Sequence, residues 1–382
     1  MKTRIGRTRS SAWLALVMLV ICGGCAESVQ PPAVPVFFPA APELPRVQFL
    51  TSFSGRKDLE HQSAFDKFVL GENQDLKIDK PYGVAIADGK IYVCDSNTTV
   101  LVLDVKGQKF QPLQGAVGPG ALRQPINVSI GADGTRYVSD PVRGQVVAFD
   151  REDRYLRAYG TPGAWKPVDA VPFENRLYVV DTQSKLVKVL DRESGEPVKT
   201  IGDKGAPTER LDRPTNLTID REGYLYVTDF GRFQVVKFDR DGHYQMVFGG
   251  PGDNFGKFAR PKGVAVDRDG RLYVVDASFN NVQVFSPQGR LLMYLGGAPA
   301  DQGGSLLLPA KVAIDYDGVG DFQKYLAPGF HADYLLLVTS QFGERRVNVL
   351  AYGHEEGKTY PSDADLLKQL DERKAKELAA PQ

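Results

Sequence analysis

Short apolar runs recur along the chain at a nearly constant interval, and each interval opens at a proline. The six opening prolines are Pro81, Pro125, Pro167, Pro214, Pro261 and Pro309, spaced 44, 42, 47, 47 and 48 residues apart. Within each interval, runs of β-branched and aromatic residues are separated by turn residues such as Asp-Gly, which is the pattern of strands joined by hairpins. Four such strands in a period of about 45 residues predict one blade of a β-propeller.

The second strand of each interval ends in the same residue in five of the six copies. It reads Tyr-Val-x-Asp and ends at Asp95, Asp140, Asp181, Asp229 and Asp276, whereas the sixth copy ends at Ser340. A residue that recurs in nearly every blade is best explained by a structural role that all blades share. We therefore interpret these aspartates as acceptors of hydrogen bonds from turn amides.

The sixth copy lacks a fourth strand after Leu350, and a matching run precedes the first copy at Arg46 to Phe53. Pairing the two chain ends removes an exposed sheet edge. We therefore predict an all-β fold, a six-bladed propeller over residues 46–353 that the N-terminal strand closes. In the tail, residues 354–382, Ser362 and Asp365 followed by leucines predict a short amphipathic α-helix packed on the propeller.

The stretch Arg260 to Asp276, RPKGVAVDRDGRLYVVD, resembles a nearly intact NHL repeat. With the other copies in register, the resemblance covers residues 46–353 and implies the propeller fold, but it implies no single activity because one fold hosts many functions. In propellers of this type the innermost strand starts at the top face. The loops that precede each first strand, and those between second and third strands, are then expected on top.

The first 24 residues have the layout of a bacterial secretory signal, with four basic residues ahead of the apolar run from Ala12 to Ile21. Gly23-Gly24-Cys25 resembles a lipobox, so we expect Cys25 to carry a lipid and to become the mature N-terminus. Cys22 is the weaker alternative, because the bulky Ile21 would precede it. This resemblance implies a lipid-anchored protein of the bacterial cell envelope, and Ala26 after Cys25 favours the outer membrane.

Residues 25–45 contain six prolines and predict an extended tether, unless Phe37 and Phe38 dock this segment on the propeller. The tether is expected to enter its strand from the bottom, where the tail also leaves. The membrane is then expected to face the bottom of the propeller, which leaves the top free.

Removal of the signal leaves 43 Lys and Arg against 47 Asp and Glu, a net charge of −4. A protein that binds nucleic acid is normally basic, so we expect no nucleic acid partner. With Cys25 lipidated, Cys94 is the only other cysteine of the mature chain, and no disulfide is predicted. We expect a monomer.

Two residues after each opening proline, the chain is expected to reach the mouth of the central channel. The six occupants are Gly83, Asn127, Asp169, Asn216, Gly263 and Lys311. The polar residues Asn127, Asp169, Asn216 and Lys311 predict a cluster with three interpretations: a Ca²⁺ site, an internal ion pair or small-ligand pocket, or solvated lining. Lys311 argues against calcium because it can neutralise Asp169, and we expect no cofactor.

Six-bladed propellers with lyase or lactonase activity place histidine or acidic metal ligands around this axis. The four histidines, His61, His243, His331 and His354, fall outside the channel positions, which disfavours a zinc site. No catalytic triad motif or phosphate-binding loop is present in the sequence. A lyase or hydrolase that uses the channel-mouth cluster is therefore the alternative function, not the leading one.

The predicted top loops are rich in aromatic and basic residues, which protein interfaces favour. The candidate partner face consists of Trp165, Lys166, Arg213, Phe230, Arg232, Arg260, Lys262, Phe279 and Phe342. The leading hypothesis is a non-catalytic binding scaffold whose top face engages an envelope protein or carbohydrate. Two insertions break the period, residues 54–80 on top, where they can cap the channel, and residues 317–333 on the bottom.

Overall fold

A computed structural model describes residues 34–60, 75–297, 299 and 302–379, with side chains described as far as residue 372. The signal region, Cys25 and most of the predicted tether lie outside the described residues, as do residues 61–74 of the first insertion. No helix within the described ranges is long and apolar enough to cross a membrane.

The first three blades are four-stranded antiparallel sheets. Blade one contains β3 (Pro81–Ala87), β4 (Lys90–Asp95), β5 (Val100–Asp104) and β6 (Lys109–Pro112). Blade two contains β7 (Asn127–Ile130), β8 (Arg136–Asp140), β9 (Gln145–Phe149) and β10 (Tyr155–Tyr159). Blade three contains β11 (Pro167–Phe173), β12 (Arg176–Asp181), β13 (Leu186–Asp191) and β14 (Pro197–Ile201).

The other three blades complete the ring. Blade four contains β15 (Pro214–Ile219), β16 (Leu225–Asp229), β17 (Gln234–Phe238) and β18 (Tyr244–Gly249). Blade five contains β19 (Pro261–Val266), β20 (Leu272–Asp276), β21 (Asn281–Phe285) and β22 (Leu291–Gly296). Blade six contains β23 (Pro309–Asp315), β24 (Phe330–Ser340), β25 (Val347–Glu355), β2 (Val47–Phe53) and β1 (Val36–Phe38).

The innermost strands follow one another around the axis from β3 to β23, and β23 packs against β3 to close the circle. Blades one and four therefore face each other across the axis, as do blades three and six. The core lies in the layers between neighbouring blades. Between blades two and three, for example, Tyr137 and Val146 of one sheet pack against Leu177 and Val179 of the next. The predicted six-bladed propeller is confirmed.

The predicted clasp is also confirmed, because β2 pairs with β25 over Val47 to Phe53. The structure adds a strand that periodicity did not predict: β1 pairs antiparallel with β2, with Val36 opposite Phe49. Phe38 is buried and the Phe37 ring lies 5.5 Å from that of Phe330. Of the two interpretations of this segment, docking on the propeller is the one observed for residues 36–38.

The added strand corrects the predicted route of the tether. Because β1 runs opposite to β2, the chain arrives at Val36 on the outer edge of blade six and travels towards the bottom before it turns into β2. The last residues of the tether thus enter the clasp strand from the bottom, as predicted, but the chain reaches that point along the outer edge of blade six. The prediction that the membrane faces the bottom of the propeller assumed a tether that arrives from below. The observed route along β1 does not support that assumption.

The C-terminal helix α1 (Asp363–Ala379) begins where the sequence predicts, with Ser362 Oγ accepting a hydrogen bond from Asp365 N at 3.2 Å. It lies against the bottom of blade five, where Asp363 pairs with Arg271 at 2.7 Å and Asp371 pairs with Arg290. The predicted packing of this helix on the propeller is confirmed.

The two insertions differ in where they pack. In the first, Glu60 Oε1 accepts a hydrogen bond from Phe110 N at 2.7 Å, so the beginning of this insertion lies against the outer edge of blade one. The cap over the channel stays a prediction, since residues 61–74 lie outside the described residues. In the second, a 3₁₀ helix over Gly318–Tyr325 buries Phe322 between blades six and one. Gln48 Nε2 donates to Tyr325 O at 2.9 Å, which ties this insertion to the bottom end of the clasp strand.

Candidate functional site

The inner strands of neighbouring blades approach each other closely at the channel mouth. A Cβ atom built on Gly83 would lie 2.5 Å from Asn127 Cα, and one on Gly263 would lie 2.5 Å from Lys311 Cα. Side chains are excluded at these two places because backbone of the neighbouring blade already fills the space. The glycines thus have a packing role, and the other four positions of the ring carry the polar groups.

Asp169 and Lys311 form an ion pair across the axis. Lys311 Nζ lies 2.7 Å from Asp169 Oδ2, and the two side chains are 9% and 1% exposed. The same oxygen accepts from Leu217 N at 3.1 Å and from Asn216 Nδ2 at 3.3 Å, while Oδ1 accepts from Ala170 N. Both carboxylate oxygens of Asp169 are therefore engaged by the protein itself.

A second connection crosses the axis from blade one to blade four. Tyr82 Oη donates to Asn216 Oδ1 at 3.2 Å, and burial raises the pKa of this phenol well above its ordinary value, with the Asp169 charge adding to the effect. Asn127 Nδ2 donates to Val168 O at 2.8 Å, while its Oδ1 has no partner among the described residues. The four predicted polar residues thus lie together, and side chains from opposite blades meet over the channel.

Lys262 belongs to the channel mouth, not to the open partner face. It is 7% exposed, and its Nζ donates to Gln341 Oε1 at 2.8 Å. Burial, with the nearby charges of Arg260 and Lys80, lowers the pKa of Lys262 to about 8. Its assignment to the candidate partner face was wrong because the side chain is buried.

Tyr82 and Lys262 are the channel residues that the sequence did not predict. Both directly follow an opening proline, and in both blades the pairing register shifts just after that proline. A β-bulge re-aims the side chains beside it, so strict alternation fails at this point. The sequence did contain a sign of their role in the channel: a tyrosine and a lysine stand at a position where the other blades carry apolar residues or threonine.

The recurring aspartates hold the top loops together. Asp229 is fully buried and accepts hydrogen bonds from Asp212 N and Arg213 N of one loop and from Gly231 N of the other. Asp276 does the same for Ala259 N and Ser278 N in blade five. These contacts confirm the structural interpretation of the repeated aspartates and show that both sets of loops lie on one face.

The remaining residues of the candidate partner face differ in exposure. Lys166, Arg213, Arg260 and Phe342 are exposed, whereas Trp165, Phe230, Arg232 and Phe279 are partly buried. Lys188 Nζ lies 4.3 Å from the centre of the Trp165 ring. Arg232 donates to Thr208 O at 2.7 Å and to Pro207 O at 2.6 Å, so it holds the loop beside it.

The described histidines lie on the bottom, away from the channel mouth. His243 is bound to Asp239 in an outer turn of blade four, and His331 pairs with His354 in the extended hairpin of blade six. His61 lies outside the described residues. Within the described ranges, no group of three or more His, Cys, Asp or Glu side chains is arranged to hold a metal ion.

Comparisons with known proteins agree with the repeat and the fold. A family model of the NHL repeat matches residues 258–285. The brain tumor protein of Drosophila melanogaster is 24% identical over 135 residues, and the match spans 34% of this chain and 13% of that protein. The chain thus matches only a small part of that relative.

Solved structures with the same fold include proteins that bind and proteins that catalyse. An auxiliary nutrient binding protein from Bacteroides thetaiotaomicron is 12% identical with a TM-score of 0.53, covering 73% of this chain and 70% of that one. A gluconolactonase from Xanthomonas campestris is 17% identical with a TM-score of 0.50, covering 85% and 99%. A streptogramin B lyase is 13% identical with a TM-score of 0.50, covering 72% and 94%. At these identities the likeness concerns the fold alone.

Proposed function

We propose that the protein is a non-catalytic binding scaffold of the bacterial cell envelope, anchored by a lipid on Cys25, whose propeller top engages a protein or carbohydrate partner. The proposal rests on a contrast between the central axis and the outer part of the top face. We call this outer part the rim, and it consists of Lys166, Arg213, Arg260 and Phe342. At the axis, polar groups from opposite blades bind each other. At the rim, three basic side chains and the Phe342 ring are exposed to solvent.

The ion pair and hydrogen bonds of Asp169 favour a scaffold over the alternative of a lyase or hydrolase. A general base or a metal-ligating carboxylate needs an oxygen that can reach the substrate or the metal. Four donors already occupy the two oxygens of Asp169, among them the Lys311 ammonium at 2.7 Å. Lys311 supplies the positive charge that a cation would supply beside this carboxylate.

The rim has the composition of a binding surface. Arg213 and Arg260 are exposed on neighbouring loops, and Phe342 is 59% exposed on blade six. Arginine and aromatic residues contribute most where they become desolvated by a partner. The same proposal assigns the protein to the outer membrane. This assignment rests on the N-terminal residues Cys25 and Ala26.

The test compares two charge-matched variants of the full chain in capture from envelope extracts. In the first, Arg213→Glu, Arg260→Glu and Phe342→Ala alter the top rim. In the second, Arg221→Glu and Lys109→Glu alter exposed residues at the bottom, in the loop after β15 and at the start of β6, and leave the top untouched.

Capture of the same envelope component by the wild type and the bottom variant, with loss of at least tenfold in the top variant, supports the proposal. Equal capture by all three proteins contradicts it. Because every altered side chain is exposed, unfolding by urea is expected to be the same for all three within about 0.5 kcal/mol per substitution.

A further inference from the structure

A cavity of about 260 Å³ opens at the top edge of blade five, away from the channel. It is lined by Asp253, Phe255, Phe279, Asn281, Tyr294 and Gly297. These residues come from the loop that leads into the blade, from the loop before its third strand and from its outermost strand. We propose that this cavity binds a single uncharged pyranose ring, an inference that rests on the proposed binding function of the top face and specifies its partner as a carbohydrate.

Two stacked aromatic rings form one wall. The centroids of Phe255 and Tyr294 are 4.6 Å apart and the rings are inclined by 17°. Phe255 is 62% exposed and Tyr294 43% exposed, and exposure of such large apolar surfaces to water is unfavourable. An aromatic face carries a partial negative charge, so it attracts the polarised C–H bonds of a sugar ring.

The opposite side of the cavity carries groups that suit hydroxyls. Asp253 is exposed and acceptor-only when ionised, so it can receive hydrogen bonds from two adjacent hydroxyls. Asn281 is 4% exposed, and its Oδ1 has no hydrogen-bond partner among the described residues. A buried acceptor without a partner costs about 1 to 3 kcal/mol. A sugar hydroxyl, directly or through a bound water, supplies the missing donor.

Comparison with blade two shows which donor this acceptor lacks. Gln145 occupies the place that matches Asn281, and its Oε1 accepts a hydrogen bond from Arg143 Nε at 2.8 Å. Phe279 stands in blade five where blade two has Arg143, so the corresponding donor is missing beside Asn281 Oδ1. Blade five thus leaves this acceptor unpaired beside the cavity, whereas blade two pairs it.

The loop that carries Phe255 is held in place from beneath. Gln283 is fully buried; its Oε1 accepts from Gly256 N at 2.7 Å, and its Nε2 donates to Lys257 O at 2.9 Å. Lys257 N in turn donates to Asn254 O at 3.0 Å. A loop ordered before the ligand arrives loses less entropy on binding. Gln283 is thus a positioning residue for the aromatic wall.

The chemistry of the lining separates a sugar from other ligands. Among the described residues no cationic side chain lines the cavity, so an anion finds no counter-charge there, and the single carboxylate that they contribute is too few ligands for a calcium ion. The volume lies below the roughly 300 to 1,000 Å³ of sites for drug-sized ligands. An uncharged ring with one apolar face and several hydroxyls matches both the aromatic wall and the acceptors.

The experiment records saturation-transfer difference NMR spectra of the full chain with the methyl glycosides of glucose, galactose, mannose and N-acetylglucosamine. We expect saturation of ring C–H protons for at least one glycoside with the wild type. Binding is expected to weaken at least tenfold in Phe255→Ala and in Tyr294→Ala, and to be retained in Phe255→Trp.

The matched control is Val198→Ala, which truncates an exposed apolar side chain on β14, the outermost strand of blade three, and is expected to leave glycoside binding unchanged. Absence of binding to every glycoside at millimolar concentration overturns the inference, as does binding that survives both Phe255→Ala and Tyr294→Ala. Binding of methylammonium in place of any glycoside also overturns it, since that result assigns the cavity to a cationic side chain of a protein. Loss of the sugar site with rim-dependent capture intact leaves the proposed scaffold function standing.

Discussion

Lys311 Nζ lies 2.7 Å from Asp169 Oδ2, and this contact joins blades six and three across the axis of the propeller. The two residues are 142 positions apart in the chain and face each other only because the ring closes. Each would be a buried charge without the other. The pair therefore couples blade three to blade six in the stability of the folded propeller.

Removal of one member of this pair is expected to be more damaging than removal of both charges. Lys311→Met leaves the Asp169 carboxylate buried without its counter-charge, and such changes cost about 3 to 5 kcal/mol. The double variant Asp169→Asn, Lys311→Met keeps the shape and removes both charges. We expect it to unfold at a higher urea concentration than Lys311→Met alone.

The measurement is a double-mutant cycle of the free energy of unfolding at pH 7. A coupling energy of about 1 to 3 kcal/mol is expected for residues in direct contact. Additive effects of the two single substitutions would contradict a pair that stabilises the ring as a unit. The same variants test the scaffold proposal, because partner capture by the folded double variant is expected to equal that of the wild type.

Gly83 is expected to tolerate no side chain. A Cβ atom there would lie 2.5 Å from Asn127 Cα and 2.8 Å from Ile126 O, and these backbone atoms cannot turn away as a flexible side chain can. We expect Gly83→Ala to lower the free energy of unfolding by about 1 to 3 kcal/mol.

Gly320→Ala is the matched control, because no atom lies within 4 Å of a Cβ built at that position. Its effect on urea unfolding is expected to stay within about 0.5 kcal/mol. Equal effects of the two substitutions would mean that the blades do not approach each other at Gly83 as closely as the structure has them.

The repeat pattern predicted the number of blades, the clasp and four of the channel residues, since each of these follows from a period that the sequence repeats. Asp169 and Lys311 could be found because they replace the usual glycine at a fixed distance from a proline. Tyr82 and Lys262 could not be placed in this way. A bulge after the proline changes which side chains face the axis, and alternation alone does not reveal a bulge.

The strand β1 and the cavity of blade five lie beyond prediction from the repeat for another reason. Three residues in a proline-rich segment give no periodic signal, and their pairing depends on an edge that exists only after the clasp has formed. Phe255 and Tyr294 are 39 positions apart, in a loop and in an outer strand. Their stacking depends on how the loop folds over the blade, which Gln283 controls through buried hydrogen bonds.

Lys262 is expected to make stability depend on pH. Its pKa in the folded protein is about 8, below the ordinary 10.5, because burial disfavours the charged form and Arg260 and Lys80 repel it. Between these two values the unfolded chain binds the additional proton, so the contribution of this lysine to stability increases as the pH rises.

We therefore expect the wild type to gain on the order of 2 to 3 kcal/mol relative to Lys262→Met between pH 7 and pH 10. Free energies of unfolding at both pH values provide the measurement, and the comparison with the variant cancels the other groups that titrate in this range. A difference between the two proteins that stays constant from pH 7 to pH 10 would show that Lys262 is not buried as a charged group.

Lipid anchoring is tested at the two candidate cysteines. If Cys25 is acylated, Cys25→Ser is expected to abolish incorporation of labelled palmitate and to release the protein from the membrane fraction, because two acyl chains on one residue provide the stable attachment. Cys22→Ser is the matched control and is expected to keep both properties. Palmitate incorporation that is lost in Cys22→Ser and kept in Cys25→Ser would move the modification to the alternative cysteine, and incorporation in neither the wild type nor the variants would remove the anchor from the proposed function.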